Sequence, residues 1–233
     1  MSDATAPAGF PVYASGSTDA ARAVIVVQEA FGVNDHIRGV ADRLADEGYL
    51  AVAPQLFHRD GSPEIAYDDY ASAVPLMANL TKQGLTNDLN ATTDFLATLG
   101  FHAPNIAAIG FCMGGTVSFF AATLGTVGAA ASFYGGGVAT GRFGLAPLIE
   151  LSTDLQCPWI GLYGDLDLSI AVEDVEALRQ ATDALSVATQ IVRYREAKHG
   201  FHCDARPDSF NEAAAIDARA RALAFFAQHL CDK

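Results

Sequence analysis

Charge is scarce in this chain of 233 residues: only 18% are charged, and the 14 Lys and Arg are outnumbered by 27 Asp and Glu, a formal net charge of -13. A surface so short of cations repels phosphate backbones and anionic lipid heads, so nucleic acid and membrane surfaces are not expected partners. Cysteine is also rare. The four residues Cys112, Cys157, Cys203 and Cys231 show neither paired CxxC spacing nor the density of a disulfide-stapled domain. Reduced thiols in a cytoplasmic setting fit that usage. No apolar run approaches the roughly 18 residues of a membrane span. Met1 to Phe10 lacks the basic start and apolar stretch of an export signal, so neither anchor nor export is expected. HExxH and His-x-His are absent too, which removes the usual signatures of a metal hydrolase, and no metal or other cofactor is expected.

What is present is the composition of a packed globule, with 51% hydrophobic residues and no repeat, linker or low-complexity block. One domain over residues 1–233 is the expectation. Short β-prone runs alternate with helical patterns. Ala23 to Gln28, Tyr49 to Ala53, Asn105 to Phe111, Ala129 to Tyr134, Trp159 to Tyr163 and Thr189 to Tyr194 read as strands almost free of charge, as buried parallel strands should be. Helices fit Asp35 to Glu47, Asn87 to Leu99, Met113 to Leu124, Val172 to Ala184 and Asn211 to His229. In the first, Ile37, Val40, Ala41 and Leu44 form an i, i+3, i+4, i+7 stripe, with Asn34 as N-cap and Gly48 as stop. The alternation implies an α/β fold: a mainly parallel sheet with helices on both faces. Phe10 to Ala14 reads as an antiparallel edge strand. Arg59 to Leu80, broken by Gly61, Pro63 and Pro75, yields no simple pattern.

The most informative segment runs Asn105-Ile-Ala-Ala-Ile-Gly-Phe-Cys-Met-Gly-Gly115. A strand entering Gly-x-Cys-x-Gly and then a helix has the layout of a nucleophile elbow, whose crowded turn demands small neighbours and lifts its central side chain above the sheet. Cys112 would stand at a helix N-terminus, where the dipole favours thiolate. Two other readings compete. A lone cysteine is usually a small buried hydrophobe. A glycine-rich dinucleotide turn would instead need glycine where Cys112 stands.

A nucleophile needs a base, and the base an orienting acid, on later strand ends. Gly164-Asp-Leu-Asp-Leu-Ser-Ile170 follows one strand and Ala197-Lys-His-Gly-Phe201 the next. Asp167 is the favoured acid with Asp165 as competitor, since either could be a turn or capping aspartate. His199 is the favoured base, and His202 its competitor.

At this point the chain resembles the dienelactone hydrolase family over essentially its full length. The matching pieces are Val26-Val-Gln-Glu-Ala-Phe-Gly-Val-Asn34, Ala53-Pro54, Ile109-Gly-Phe-Cys-Met-Gly-Gly115, Tyr134-Gly135, Gly164-x-x-Asp167, His199-Gly-Phe201 and Arg206-Pro207. The resemblance implies an α/β-hydrolase fold and hydrolysis of a small ester or lactone through an acyl-cysteine, with roles mapping onto Cys112, His199 and Asp167. It also implies that Glu29 contacts the resting thiol, although a polar strand end beside the following helix would explain the same residue. The oxyanion hole should be the backbone amides of Met113 and Ala30. Phe31, Tyr134, Arg59 and Arg206 are candidate substrate contacts, with the rim drawn from residues 59–70 and 135–155. One departure bears on the substrate: members that cleave dienelactones hold a carboxylate with an arginine four residues past the histidine, where this chain has Cys203. Together with Glu64, Asp68 and Asp69 in the rim, this leads to the expectation that neutral esters are preferred. A non-hydrolytic small-molecule binder or thiol sensor on the same fold is the rival function. Nothing in the sequence sets assembly beyond a monomer or small homo-oligomer.

Overall fold

The computed structural model describes residues 2–6 and 10–233. The expectation for Met1 to Phe10 therefore falls partly outside the described residues. Eight strands form one sheet: β1 (Ser2–Ala6), β2 (Phe10–Ser15), β3 (Arg22–Val27), β4 (Tyr49–Pro54), β5 (Ile106–Phe111), β6 (Ala129–Phe133), β7 (Trp159–Gly164) and β8 (Thr189–Tyr194), in the order β1-β2-β4-β3-β5-β6-β7-β8. The pairs β1/β2 and β2/β4 are antiparallel, and all pairs from β4 to β8 are parallel. Residues 10–14 thus pair antiparallel as expected. They are not the edge, because β1 lies outside them.

Among the described residues, seven α-helices accompany the sheet: α1 (Asp35–Asp46), α2 (Tyr70–Ala78), α3 (Lys82–Thr98), α4 (Met113–Ala121), α5 (Leu148–Leu151), α6 (Val172–Asp183) and α7 (Glu212–His229). In α1 the apolar stripe Ile37, Val40, Ala41 and Leu44 is buried, and the Asn34 side chain accepts the Ile37 amide at 3.2 Å to cap it. Truncating Leu44, 3% exposed, would cost about 2–5 kcal/mol through lost transfer and a residual cavity. Strands β4 to β7 are buried throughout, which explains their unbroken apolar sequence. Helix α3 starts five residues earlier than its apolar pattern, because Thr81 caps it by accepting the Gly84 amide at 3.1 Å. Helix α2 carries Pro75 inside it, and for that reason its sequence did not read as helix. Among the described residues, no helix is long and apolar enough to cross a membrane.

Parallel strands all end on one side, so the segments after β3, β5, β7 and β8 converge at their carboxyl ends. The site is assembled from those segments.

Candidate active site

The turn after β5 is tightly packed. Cys112 adopts φ 55 and ψ -115, a left-handed conformation that costs a non-glycine residue about 1–3 kcal/mol. Its surroundings hold it there. A methyl group on Gly110 would strike the Gly114 carbonyl, one on Gly114 the carbonyls of Val27 and Gln28, and one on Gly115 would come within 2.6 Å of the Phe133 carbonyl oxygen. The start of α4 is therefore pressed against the ends of β3 and β6. The Cys112 amide donates to the Phe133 carbonyl at 3.0 Å, which fixes the elbow to the neighbouring strand. Met113 opens α4, so its amide has no carbonyl one turn behind it. Gln28, Glu29 and Ala30 lie in the segment that this packing draws alongside.

The loops after β7 and β8 supply the partners. His199 Nδ1 lies 2.6 Å from Asp167 Oδ2. Asp167 Oδ1 accepts the backbone amide of Ser169 at 2.8 Å and its hydroxyl at 2.7 Å, so both carboxylate oxygens are engaged. Burial opposes ionisation of Asp167, but the bonds to His199 and Ser169 outweigh it and hold the carboxyl below its ordinary range. For His199, burial pulls downward, yet the charge of Cys112 and the bond to Asp167 overcome it and carry the imidazole up to about 10. Cys112 and His199 face the same cavity. Gly200 follows at φ 80, and the Arg206 guanidinium occupies the space its side chain would need.

The competitors are engaged elsewhere. Asp165 makes two 2.8 Å bonds to the Arg193 guanidinium. His202 is buried, and desolvation first, then nearby cations, pushes it down to about 3.

Cys112, Asp167 and His199 share a cavity of about 400 Å³ with Phe31, Tyr70, Arg142, Leu166, Leu168, Ser169, Lys198, Arg206 and Ser209. Arg206 lies over the Phe31 and Tyr67 rings at 5.6 and 5.7 Å from their centroids. Of the residues expected at the substrate, Phe31 and Arg206 line this space. Tyr134 does not: fully buried at φ 41, it packs its ring 5.1 Å from His199 and donates to Glu29 at 3.3 Å. Arg59 lies apart from this space. Its guanidinium is locked onto the buried Asp88 at 2.7 and 2.8 Å and faces a separate cavity beside Leu80 and Gly84. An ion pair with a carboxylate 3% exposed outbids an open rim for an arginine.

Glu29 lies beneath the cavity with no exposed surface, and phenols reach its two oxygens at long distances: Tyr134 at 3.3 Å and Tyr67 at 3.4 Å. The acids of the rim do not face the cavity. Glu64 pairs with Arg38, and Asp69 caps α2. The wall instead carries Arg142, Lys198 and Arg206, of which the sequence reading had named only Arg206. Lys198 was legible as the neighbour of His199. Arg142 lay inside the rim segment, with no motif to mark it.

The sheet order, the elbow after β5 and the acid and histidine after β7 and β8 define an α/β-hydrolase. The sequence profile of the dienelactone hydrolase family matches residues 10–230. A protein of Salmonella typhimurium named "Putative carboxymethylenebutenolidase" is 39% identical over 208 residues, 88% of this chain and 77% of that protein. The carboxymethylenebutenolidase of a Pseudomonas strain is 27% identical over 205 residues, covering 86% and 82%. A crystal structure described as a "Putative Dienelactone Hydrolase", from Klebsiella pneumoniae, superposes with a TM-score of 0.85 at 35% identity and covers 98% of each chain. This chain belongs to the dienelactone hydrolase family and is an ester or lactone hydrolase.

Proposed function

We propose that the protein hydrolyses a small ester or lactone through an acyl-cysteine on Cys112. His199 takes the thiol proton and later activates water. Asp167 holds the imidazole so that its Nδ1 proton faces the carboxylate and Nε2 faces the sulfur. The observation that supports this best is the strained elbow, which lifts a cysteine into the same cavity as a histidine already paired at 2.6 Å with a buried aspartate. The sulfur attacks the carbonyl carbon, the carbonyl oxygen becomes an oxyanion, and its collapse expels the alcohol or enol, which leaves with the proton held by His199. Water then attacks the thioester and releases the acid. The amides of Met113 and Ala30 receive the oxyanion. Glu29 acts on the resting thiol from below the cavity.

The substrate class follows from the wall. A cavity of about 400 Å³ is at the small end of ligand sites. Its apolar residues Phe31, Leu166 and Leu168 suit an unsaturated ring or short chain, while Arg142, Lys198 and Arg206 suit a carboxylate. We infer that an anionic lactone of the kind named by the Pseudomonas relative is accepted, against the preference for neutral esters expected from Cys203 and the rim acids Glu64, Asp68 and Asp69. Small-molecule turnover requires no macromolecular partner, and four free thiols suit the cytoplasm.

Intact-mass spectrometry after mixing with a slow aryl ester tests the reading. An adduct equal to the acyl group is expected on the wild type and not on Cys112→Ala. Equal turnover by both would overturn it, and alkylation of Cys112 with no turnover by the wild type would favour a binder or thiol sensor.

A further inference from the structure

Glu29, His36 and Cys203 bring a carboxylate oxygen, an imidazole nitrogen and a sulfur within 4.8 Å of one another, all three residues buried. The hydrolysis derived above uses neither His36 nor Cys203. His36 has a 1% exposed side chain, and its Nδ1 lies 3.0 Å from the Asp204 carboxylate, which fixes the ring proton on that nitrogen. Its Nε2 is buried without a hydrogen-bond partner among the described residues. A buried acceptor left unmatched costs about 1–3 kcal/mol, so its position calls for an occupant. Glu29 is similarly underserved, with two long phenol contacts for a carboxylate of no exposure.

We propose that Glu29, His36 Nε2 and Cys203 Sγ form a binding site for a borderline-soft divalent cation, with Zn²⁺ as the best match, and that occupancy switches the hydrolase off. Carboxylate oxygen, neutral imidazole and thiolate sulfur are all ordinary zinc ligands. Bonds of about 2.0–2.3 Å space tetrahedral ligands about 3.3–3.8 Å apart, so side-chain adjustments of about an ångström close the trio around an ion. The Asp204-His36 pair is the carboxylate support that metal-bound histidines use to fix their tautomer. Charge balances as well: Glu29 and a Cys203 thiolate neutralise the dication, and the thiol proton leaves to solvent on binding. Tyr67, which now accepts from the Cys203 thiol at 3.2 Å, turns its hydroxyl to donate to the thiolate. The fourth position is left to water. On the role proposed above for Glu29, an ion here takes its carboxylate away from Cys112, and inhibition follows from that loss.

Titrating the intact protein with Co²⁺ and recording the visible and near-ultraviolet spectrum tests the site, with Zn²⁺ calorimetry alongside. One equivalent per chain and a thiolate-to-cobalt charge-transfer band are expected. Cys203→Ser should abolish the band, Cys112→Ser should retain it, and Asp204→Asn, a change at an exposed carboxylate, should weaken Zn²⁺ binding by about 10- to 100-fold. Zn²⁺ should inhibit ester hydrolysis by the wild type and spare Cys203→Ser. A band lost in Cys112→Ser but kept in Cys203→Ser would overturn the proposal, as would no binding by millimolar Co²⁺ or an Asp204→Asn affinity equal to wild type.

Discussion

Asp165 and Asp167 stand two residues apart in one loop, yet the two sides of that loop put them to different work. The outer side gives Asp165 a guanidinium, Arg193, in a two-point ion pair that ties the loop to β8. The inner side gives Asp167 an imidazole and a serine, and buries the carboxylate to 6% exposure. Chemistry follows from which partner the fold delivers. The same contrast separates the arginines. Arg59 is held by Asp88, whereas Arg206 lies over two aromatic rings at the cavity wall and makes no ion pair among the described residues.

Asp167→Asn and Asp165→Asn should separate the work of the two aspartates. The former should lower kcat for a nitrophenyl ester by about three to four orders of magnitude, because an amide supports the wrong imidazole tautomer. The latter should leave kcat within a few-fold and reduce stability by on the order of 1 kcal/mol through the lost ion pair. Denaturant melts beside the kinetics decide, and the reverse ranking would assign the orienting role to Asp165.

The arginines give the next largest effect. Arg206→Ala should raise KM for a carboxylate-bearing lactone about tenfold or more while leaving a neutral ester little changed. Arg59→Ala should spare both substrates and cost about 1–3 kcal/mol, because the buried Asp88 carboxylate loses both guanidinium bonds and keeps the His58 imidazole at 3.2 Å. Equal KM values for the lactone in wild type and Arg206→Ala would move the carboxylate to Arg142 or Lys198.

A pH series sharpens the picture of His199. Its folded-state value of about 10 lies above the ordinary 6.5, so the stability it contributes is complete below about pH 6.5 and is lost as pH rises through about 10. Melting temperatures from neutral pH upward should therefore fall more steeply for wild type than for His199→Ala. Parallel curves would mean that the imidazole carries no such partner. The smallest effect expected is at the elbow itself: Cys112→Gly should be about 1 kcal/mol more stable than Cys112→Ala, since glycine adopts φ 55 without strain.

Much of this was legible from the residues. Buried parallel strands have no polar face, so 106–111, 129–133 and 159–164 announced themselves as apolar runs, and the order elbow, acid, histidine followed from strand ends. Helix α2 was not legible, because Pro75 breaks the local pattern and burial of Ala73 beside Phe31 overrides it. The fate of Arg59 was hidden for a different reason. Its partner Asp88 is 29 residues away, and no local spacing encodes a tertiary ion pair. Glu29 could be placed beneath the site by motif, but its phenol neighbours Tyr67 and Tyr134 come from two distant loops. The expectation of a neutral ester drew on rim acids whose direction only the fold decides: Glu64 turns to Arg38 and Asp69 caps α2.

The elbow has a consequence for how this protein tolerates change. Cys112 is gripped from outside, by glycines at 110, 114 and 115 that leave no room for a methyl group, while its own side chain points into open cavity. Apart from the strain of φ 55, which any non-glycine residue at 112 shares, identity there is largely free of the demands of folding, and identity at its three small neighbours is almost wholly bound by them. A saturation library would show this as one permissive column flanked by forbidden ones when scored for soluble expression, and the inverse at 112 when scored for catalysis. New reactivity can thus be introduced at a single codon, by a serine or another nucleophile, with no change to the scaffold that presents it.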